Sequence, residues 1–310
     1  MPRTTKPKTP PAPVFEAKYE GPEPALLFDY LKTTAQFSGR SLHKYFFKGL
    51  ILVNGRRAHS TAMLKPGDKV KALRMHEPAV LAPEEMPLTI VFENDDFLIL
   101  NKPAQIAVHP VKEITGGTLA NGVAAYFQKI GLKARVRPVN RLDYGTSGLI
   151  IFAKKAQAQA KASIEIQNHL IRRIYYALVQ GVPSPREGAI NLPIRESKGN
   201  YIVSEGGQPA ETHYRVLEEF GAASLLELSL KTGRTHQIRA HLRAIGCPIT
   251  GDLQYGAQVP GPLQEPSINH PALHAGKLDF TGSSFDIPAL TAPLPPDFQG
   301  LLDFYRKQGQ

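Results

Sequence analysis

The chain is poor in cysteine, has no tryptophan and carries a minority of acid. Cys247 is the lone thiol among 310 residues, so no intrachain disulfide can form and a cysteine-based zinc site is not expected. That usage suits a reducing cytoplasm, the expected location. No apolar run approaches the ~20 residues a membrane span needs. Residues 1–20, rich in Pro, Lys and Thr, lack the apolar stretch of a signal peptide. Also missing are the G-x-x-x-x-G-K loop that cradles nucleotide phosphates and the H-E-x-x-H zinc helix. The expectation is therefore no cofactor, no metal and no membrane partner. Asp and Glu number 27 against 37 Lys and Arg, a formal charge of +10. Such an excess favours an anionic partner, and nucleic acid is the commonest large one; a soluble basic protein with no such partner is the plainer alternative. Hydrophobic residues, at 42%, suffice for a real core, and the length allows one large domain and one small one.

Composition divides the chain into a disordered basic tail over 1–20, a small module over 21–75, a linker rich in Pro, Ala and Glu over 76–87, and a larger domain over 88–310. In the module, Leu26, Leu27, Tyr30 and Leu31 recur at helical spacing. Ser41 is placed to cap a second helix striped by Leu42, Tyr45 and Phe46 and stopped by Gly49. A strand over 50–53, an Asn54-Gly55 turn, a Lys65-Pro66-Gly67-Asp68 turn and a strand over 69–73 follow. This order resembles the small RNA-binding module shared with a ribosomal protein of the S-four type. Its basic side chains, Arg40, Lys44, Lys48, Arg56 and Arg57, are candidates for phosphate contact; a solvated face of a structural domain is the alternative.

In the larger domain, strands are expected over 89–92 and 97–101, and a helix after Thr118 with Leu119, Val123, Phe127 and Ile130 on one face. A basic run, Lys133, Arg135 and Arg137, leads into Val139-Asn140-Arg141-Leu142-Asp143-Tyr144-Gly145-Thr146-Ser147-Gly148-Leu149-Ile150-Ile151-Phe152. This stretch reads as a tight polar loop feeding a buried strand. A helix over 155–168, strands over 174–179 and 225–230, and a loop or hairpin over 191–205 follow. Lys231-Thr232-Gly233-Arg234-Thr235-His236-Gln237-Ile238-Arg239 then opens a helix, with Thr235 placed to cap it. Ile238, Leu242 and Ile245 share one face, and His236, Arg239 and Arg243 another.

Taken alone, Arg141-Leu142-Asp143 could be a turn with a surface ion pair. The whole string resembles the R-L-D-x-x-T-S-G-L signature of the RluA-type RNA pseudouridine synthases. Residues 231–239 resemble that family's G-R-T-H-Q-[IL]-R segment. Arg173-Ile174-Tyr175-Tyr176-Ala177-Leu178-Val179 resembles its K-x-Y-x-A-L-V strand. Asn101-Lys102-Pro103 through His109-Pro110 resembles its n-K-P-x-G-x-x-V-H-P segment, with Gln105 in place of the Gly. The resemblance covers about residues 88–300. It implies an α+β fold: a mixed, largely antiparallel central sheet with flanking helices and a central cleft. The residues agree, since they lack the regular rhythm of a parallel sheet.

By the same resemblance Asp143 is the catalytic carboxylate, Arg234 its guanidinium partner and Tyr175 the ring under a flipped-out uridine, with Tyr176 turned to the opposite face and into the core. Lys102, Arg141, His236 and Arg239 are assigned to RNA contact or support. The reaction breaks the N-glycosidic bond, turns the base and joins C1′ to C5. It needs an ionised carboxylate, which either attacks C1′ or removes the C2′ proton; the residues leave both routes open. Large-subunit rRNA is the expected target, with tRNA the alternative, and the protein is expected to act as a monomer. A non-catalytic RNA-binding or ribosome-assembly protein fits the charge equally but has no need of a carboxylate in a phosphate-rich cleft. A hydrolase pairing Asp143 with His236 or His109 finds no support in the spacing.

Overall fold

A computed structural model describes residues 13–35, 37, 39–73, 81–111, 114–197, 199–256 and 268–308. The chain divides into two compact units, residues 1–79 and 80–310.

The smaller unit runs β1 (Pro13–Lys18), β2 (Ala25–Leu26), α1 (Leu27–Thr34), α2 (Gly39–Phe47), β3 (Ile51–Val53), β4 (Arg56–Arg57), β5 (Met63–Leu64) and β6 (Lys69–Leu73). Strands pair in the order β1-β6-β3-β4, and β2 pairs with β5. Asn54 and Gly55 take φ of 50° and 78°, the positive angles a tight hairpin between β3 and β4 requires. Asp68 closes the second turn by accepting from Lys65 N at 2.8 Å and from Asn54 Nδ2 at 2.7 Å. Leu27, Leu31, Leu42, Tyr45, Ile51, Leu64 and Val70 form its core.

Two expectations change here. Residues 13–18 of the expected tail form β1, which pairs along β6 from Lys18↔Lys69 to Pro13↔Leu73 and turns Phe15 and Ala17 toward the core; residues 1–12 lie outside the described residues. The second helix starts at Gly39, so Ser41 lies inside it rather than capping it.

The larger unit runs β7 (Ile90–Glu93), β8 (Phe97–Lys102), α3 (Leu119–Lys129), β9 (Arg137–Pro138), β10 (Ser147–Ala153), α4 (Ala156–Gln167), β11 (Arg172–Gln180), β12 (Glu187–Asn191), β13 (Ile194–Ser197), β14 (Asn200–Val203), β15 (Glu211–Glu219), β16 (Ala223–Leu230), α5 (Gln237–Ala244), β17 (Leu273–Asp279), β18 (Leu290–Thr291) and α6 (Pro296–Gln308). Its main sheet has the order β12-β15-β16-β11-β17-β10-β8-β7, with β18 on β17 and β9 on β10. All of these pairs are antiparallel except β10 with β17.

The middle of the sheet is buried on both faces, which is why β8 and β10 read as continuous apolar runs. Leu98, Leu100, Ile150 and Phe152 face a core shared with α3 and α6, while Phe97, Ile99, Leu149 and Ile151 face a second core shared with α4. The expected hairpin over 191–205 is β13 with β14.

Part of the expected linker belongs to this unit. Asn121 Nδ2 donates to Ala82 O at 2.8 Å and Gly117 N to Glu84 Oε2 at 2.7 Å. Met86 lies over Gly122, where an added methyl would come within 2.4 Å of its Cγ. Residues 81–87 thus pack along α3, and 76–80 lie outside the described residues. Gln105, standing where the family has Gly, itself adopts φ of 62°, so the left-handed turn survives the substitution. Tyr176 is half-buried beside Gly276 and packs against the edge of the main core.

Candidate active site

The loop carrying Asp143 hangs at the parallel seam of the sheet, between β9 and β10. Thr146 N donates to Asp143 O at 3.1 Å, which folds residues 143–146 into a turn. The Thr-Ser-Gly that follows is explained by the seam. Gly148 has φ of 110°, and a methyl there would sit 2.3 Å from Ala275 O on β17, so glycine alone fits. Ser147 Oγ lies 2.8 Å from His274 Nδ1, and His274 Nε2 lies 3.2 Å from Ala292 O. Burial lowers the His274 pKa and holds the ring neutral, so Nε2 donates to the carbonyl and Nδ1 accepts from the serine. Asn140 Oδ1 accepts from Ile151 N at 2.9 Å and ties the loop to β10.

Lys102, at the end of β8, lies beneath this loop. Its side chain is 0% exposed, and Nζ donates to Pro103 O and Ile106 O at 2.9 Å and to Tyr144 O at 3.3 Å. Burial pulls its pKa down to about 7, against the opposing charge of Asp143. The assignment of Lys102 to RNA contact is therefore corrected: with no exposed surface, the ammonium supports the loop from below.

The second stretch is organised by Gln237. Its buried amide donates to Glu211 O at 2.9 Å and Thr212 Oγ1 at 3.0 Å, while its carbonyl accepts from Thr232 Oγ1 at 2.7 Å and Arg234 N at 3.0 Å. α5 starts at Gln237, so the residue before it is His236, not Thr235; His236 adopts φ of 53° there. Its Nδ1 lies 2.9 Å from the Tyr255 hydroxyl, and its ring meets Tyr201 and Tyr255 edge-on. Burial lowers its pKa, Asp143 opposes this, and Arg239 and Arg141 reinforce it, so the ring is neutral at pH 7.

Arg239 is anchored largely within the fold. It is buried, donates to Asp252 Oδ2 and Oδ1 at 2.6 and 2.7 Å and to Gln254 Oε1 at 2.9 Å, and lies 4.6 Å from the centre of the Tyr255 ring. Its Nε and Nη2 donors are spent inside the fold, so most of the guanidinium serves as an internal strut behind the pocket wall.

One pocket gathers Arg141, Leu142, Asp143 and Thr146 from the loop, Arg173 and Tyr175 from β11, Leu230, Gly233, Arg234, Gln237, Ile238 and Arg239 from β16 into α5, and Leu273 from β17. The Asp143 side chain is 17% exposed, and Arg141 Nη2 stands 4.0 Å from its Oδ1. Arg234 lines the same pocket but is exposed, and its Nε donates to Pro209 O at 3.1 Å; among the described residues, the cation at ion-pair distance from Asp143 is Arg141. Tyr175 is buried. Burial raises its pKa, Asp143 adds to the rise and Arg173 opposes it, so the phenol stays protonated.

Three residues of this wall had no assigned role in the sequence. Arg173 and Gln237 sit within recognised motifs. Thr146 Oγ1 is a buried hydroxyl with no hydrogen-bond partner among the described residues. Lys44 and Arg56 are exposed on the smaller unit, and the side chain of Arg40 lies outside the described residues. Among the described residues, no group of three or more His, Cys, Asp or Glu is arranged to hold a metal ion, and no helix is long and apolar enough to cross a membrane.

Comparison with known proteins points one way. The family described as RNA pseudouridylate synthase matches residues 96–244. An uncharacterised RNA pseudouridine synthase of Bacillus subtilis, YhcT, is 37% identical over 286 residues, covering 90% of this chain and 93% of its own. The ribosomal large subunit pseudouridine synthase D of Nitrosomonas europaea is 40% identical over 72% of this chain and 67% of its own. Among solved structures, human RNA pseudouridylate synthase domain containing 1 superposes with a TM-score of 0.53 at 26% identity, covering 75% of this chain and 98% of its own.

Proposed function

Because the chain belongs to the RNA pseudouridine synthase family and is an isomerase of that class, we propose that it converts uridine to pseudouridine in large-subunit rRNA, with Asp143 as the carboxylate at the ribose. The observation that carries this reading is the convergence of Asp143, Arg141, Tyr175 and Arg234 on one pocket from separate segments of the chain. The rRNA target is supported by the name of the Nitrosomonas relative.

A uridine must leave its stack to enter, at a cost of a few kcal/mol. The Tyr175 ring and the apolar walls Leu142, Leu230, Ile238 and Leu273 offset part of that. Asp143 has to be ionised while largely shielded from water, a combination that burial alone disfavours. Arg141 beside it and, in its protonated form, Lys102 beneath it supply the compensating charge. Cleavage of the N1–C1′ bond frees the base, which turns and joins C1′ through C5; the C5 proton leaves and N1 regains one, so the reaction balances without an outside reagent. Thr146 stands in the pocket wall, and its buried hydroxyl would have to turn outward to hold a ribose or uracil oxygen. Arg234, at the rim, is placed to meet a flanking phosphate. The smaller unit, with Lys44, Lys48, Arg56 and Arg57 exposed, serves as a second RNA contact.

The test is to map pseudouridine across rRNA and tRNA in cells lacking the protein, then restore wild type or Asp143→Asn. Sites lost from large-subunit rRNA and regained with wild type alone are expected. Loss confined to tRNA would overturn the target, and rescue by Asp143→Asn would overturn the carboxylate.

A further inference from the structure

Among the described residues, Phe47 is the most exposed large hydrophobic side chain, at 92%. A lone exposed ring is ordinary on a protein surface; its surroundings are not. α2 buries Leu42 and Tyr45. On the opposite side His43 and Lys44 stand four and three residues before Phe47, so the three side chains are neighbours on one exposed face. Lys48, also exposed, follows directly. Arg57 folds onto the end of the helix: a methyl added at Gly49 would lie 3.0 Å from its Cδ and 3.2 Å from its Cζ. A half-buried aromatic patch adjoins, with Phe28 stacked on Phe46 at 6.2 Å and 5.2 Å from the His43 ring. From residue 39 to 59 the chain has five Lys or Arg and no Asp or Glu.

Rings interleaved with cations and free of acid fit single-stranded nucleic acid, whose bases stack while its phosphates pair. A duplex offers no free base face to the ring, and an apolar protein partner would have to desolvate the cations around it. We propose that Phe47 is a stacking platform for an unpaired base, with Lys44, Lys48 and Arg57 on the flanking phosphates. The smaller unit would then read single-stranded or looped RNA rather than helical RNA. This rests on the reading of the protein as an RNA-acting enzyme.

The chain has no tryptophan, so Phe47→Trp in the full-length protein places a single tryptophan at the site, read apart from the tyrosines by red-edge excitation. The probes are a short oligoadenylate strand and an RNA duplex of equal length. The expected result is solvent-exposed emission in the free protein, quenched by the single strand and not by the duplex. Phe47→Ala should bind the single strand about 5- to 150-fold more weakly, and Phe47→Tyr should bind like wild type. Emission already shifted to the blue in the free protein, equal quenching by the duplex, or unchanged affinity in Phe47→Ala each overturns the proposal. Pseudouridine formation by the wild type is scored separately. Its absence would sink the enzymatic reading and leave the stacking result standing, whereas a failed stacking result leaves the enzyme intact.

Discussion

Replacing Arg239 by Met separates two readings of that residue. If it is an internal strut, the variant strands the Asp252 carboxylate, which is 1% exposed, without its bidentate partner. Removing one member of such a pair typically costs about 3–5 kcal/mol, because the remaining charge is buried and uncompensated. Loss of the guanidinium over the Tyr255 ring adds roughly 0.5–2 kcal/mol. Since ~1.4 kcal/mol is tenfold in an equilibrium, even the low end raises the unfolded fraction of the larger unit more than a hundredfold. Replacing both residues, Arg239→Met with Asp252→Leu, removes the stranded charge, and pairs exchanged for apolar groups are often neutral or better. The double variant should therefore recover most of what the single one loses. Urea unfolding followed by circular dichroism measures both, and RNA affinity is read under conditions where each variant is folded. If Arg239→Met keeps its urea midpoint but loses RNA affinity, the guanidinium contacts RNA and the strut assignment is wrong.

Two further outcomes follow from the same seam. Lys102 is held to a pKa of about 7 in the folded protein and has an ordinary value near 10.5 unfolded. The unfolded state binds more protons between those values, so this group makes stability rise with pH through that window, by up to about 1.4 kcal/mol per unit. In a carbon-13 lysine titration one ε-carbon should turn over near pH 7 and vanish in Lys102→Arg; every lysine titrating above pH 9.5 would contradict this. Gly148→Ala places a Cβ against Ala275 O at a φ of 110°. It should cost about 3 kcal/mol or more in denaturant unfolding, and an unchanged midpoint would show that β10 and β17 are not locked as described.

The sheet and its central loop were legible because their constraints are local. Alternation along β11 sets Tyr175 against Leu228 on the pocket side and Tyr176 against Glu227 on the other. The glycine in Thr-Ser-Gly marks a close backbone approach that only its lack of a side chain permits. The basic residues were harder. Lys102 and Arg239 looked like RNA contacts because cations near a nucleic-acid site usually are. What occupies them, the Tyr144 carbonyl 42 residues away and Asp252 on the far side of α5, leaves no periodic trace. Arg234 is paired with Asp143 by the family resemblance, yet a motif does not fix where a long flexible side chain points, and Arg141 is the one at ion-pair distance. β1 was hidden by the Pro- and Lys-rich composition around two inward residues, Phe15 and Ala17.

β17 lies between β10 and β11 in the sheet but is supplied by residues 273–279, near the end of the chain. Without that strand the sheet falls into two halves, each with an open edge where β17 belongs. Leu273 walls the pocket from that strand, and Ala275 sets the seam beneath Asp143. The pocket is therefore incomplete until residues 273–279 are in the sheet. Its assembly interval is also its most exposed moment, since two unpaired strand edges wait side by side for a third.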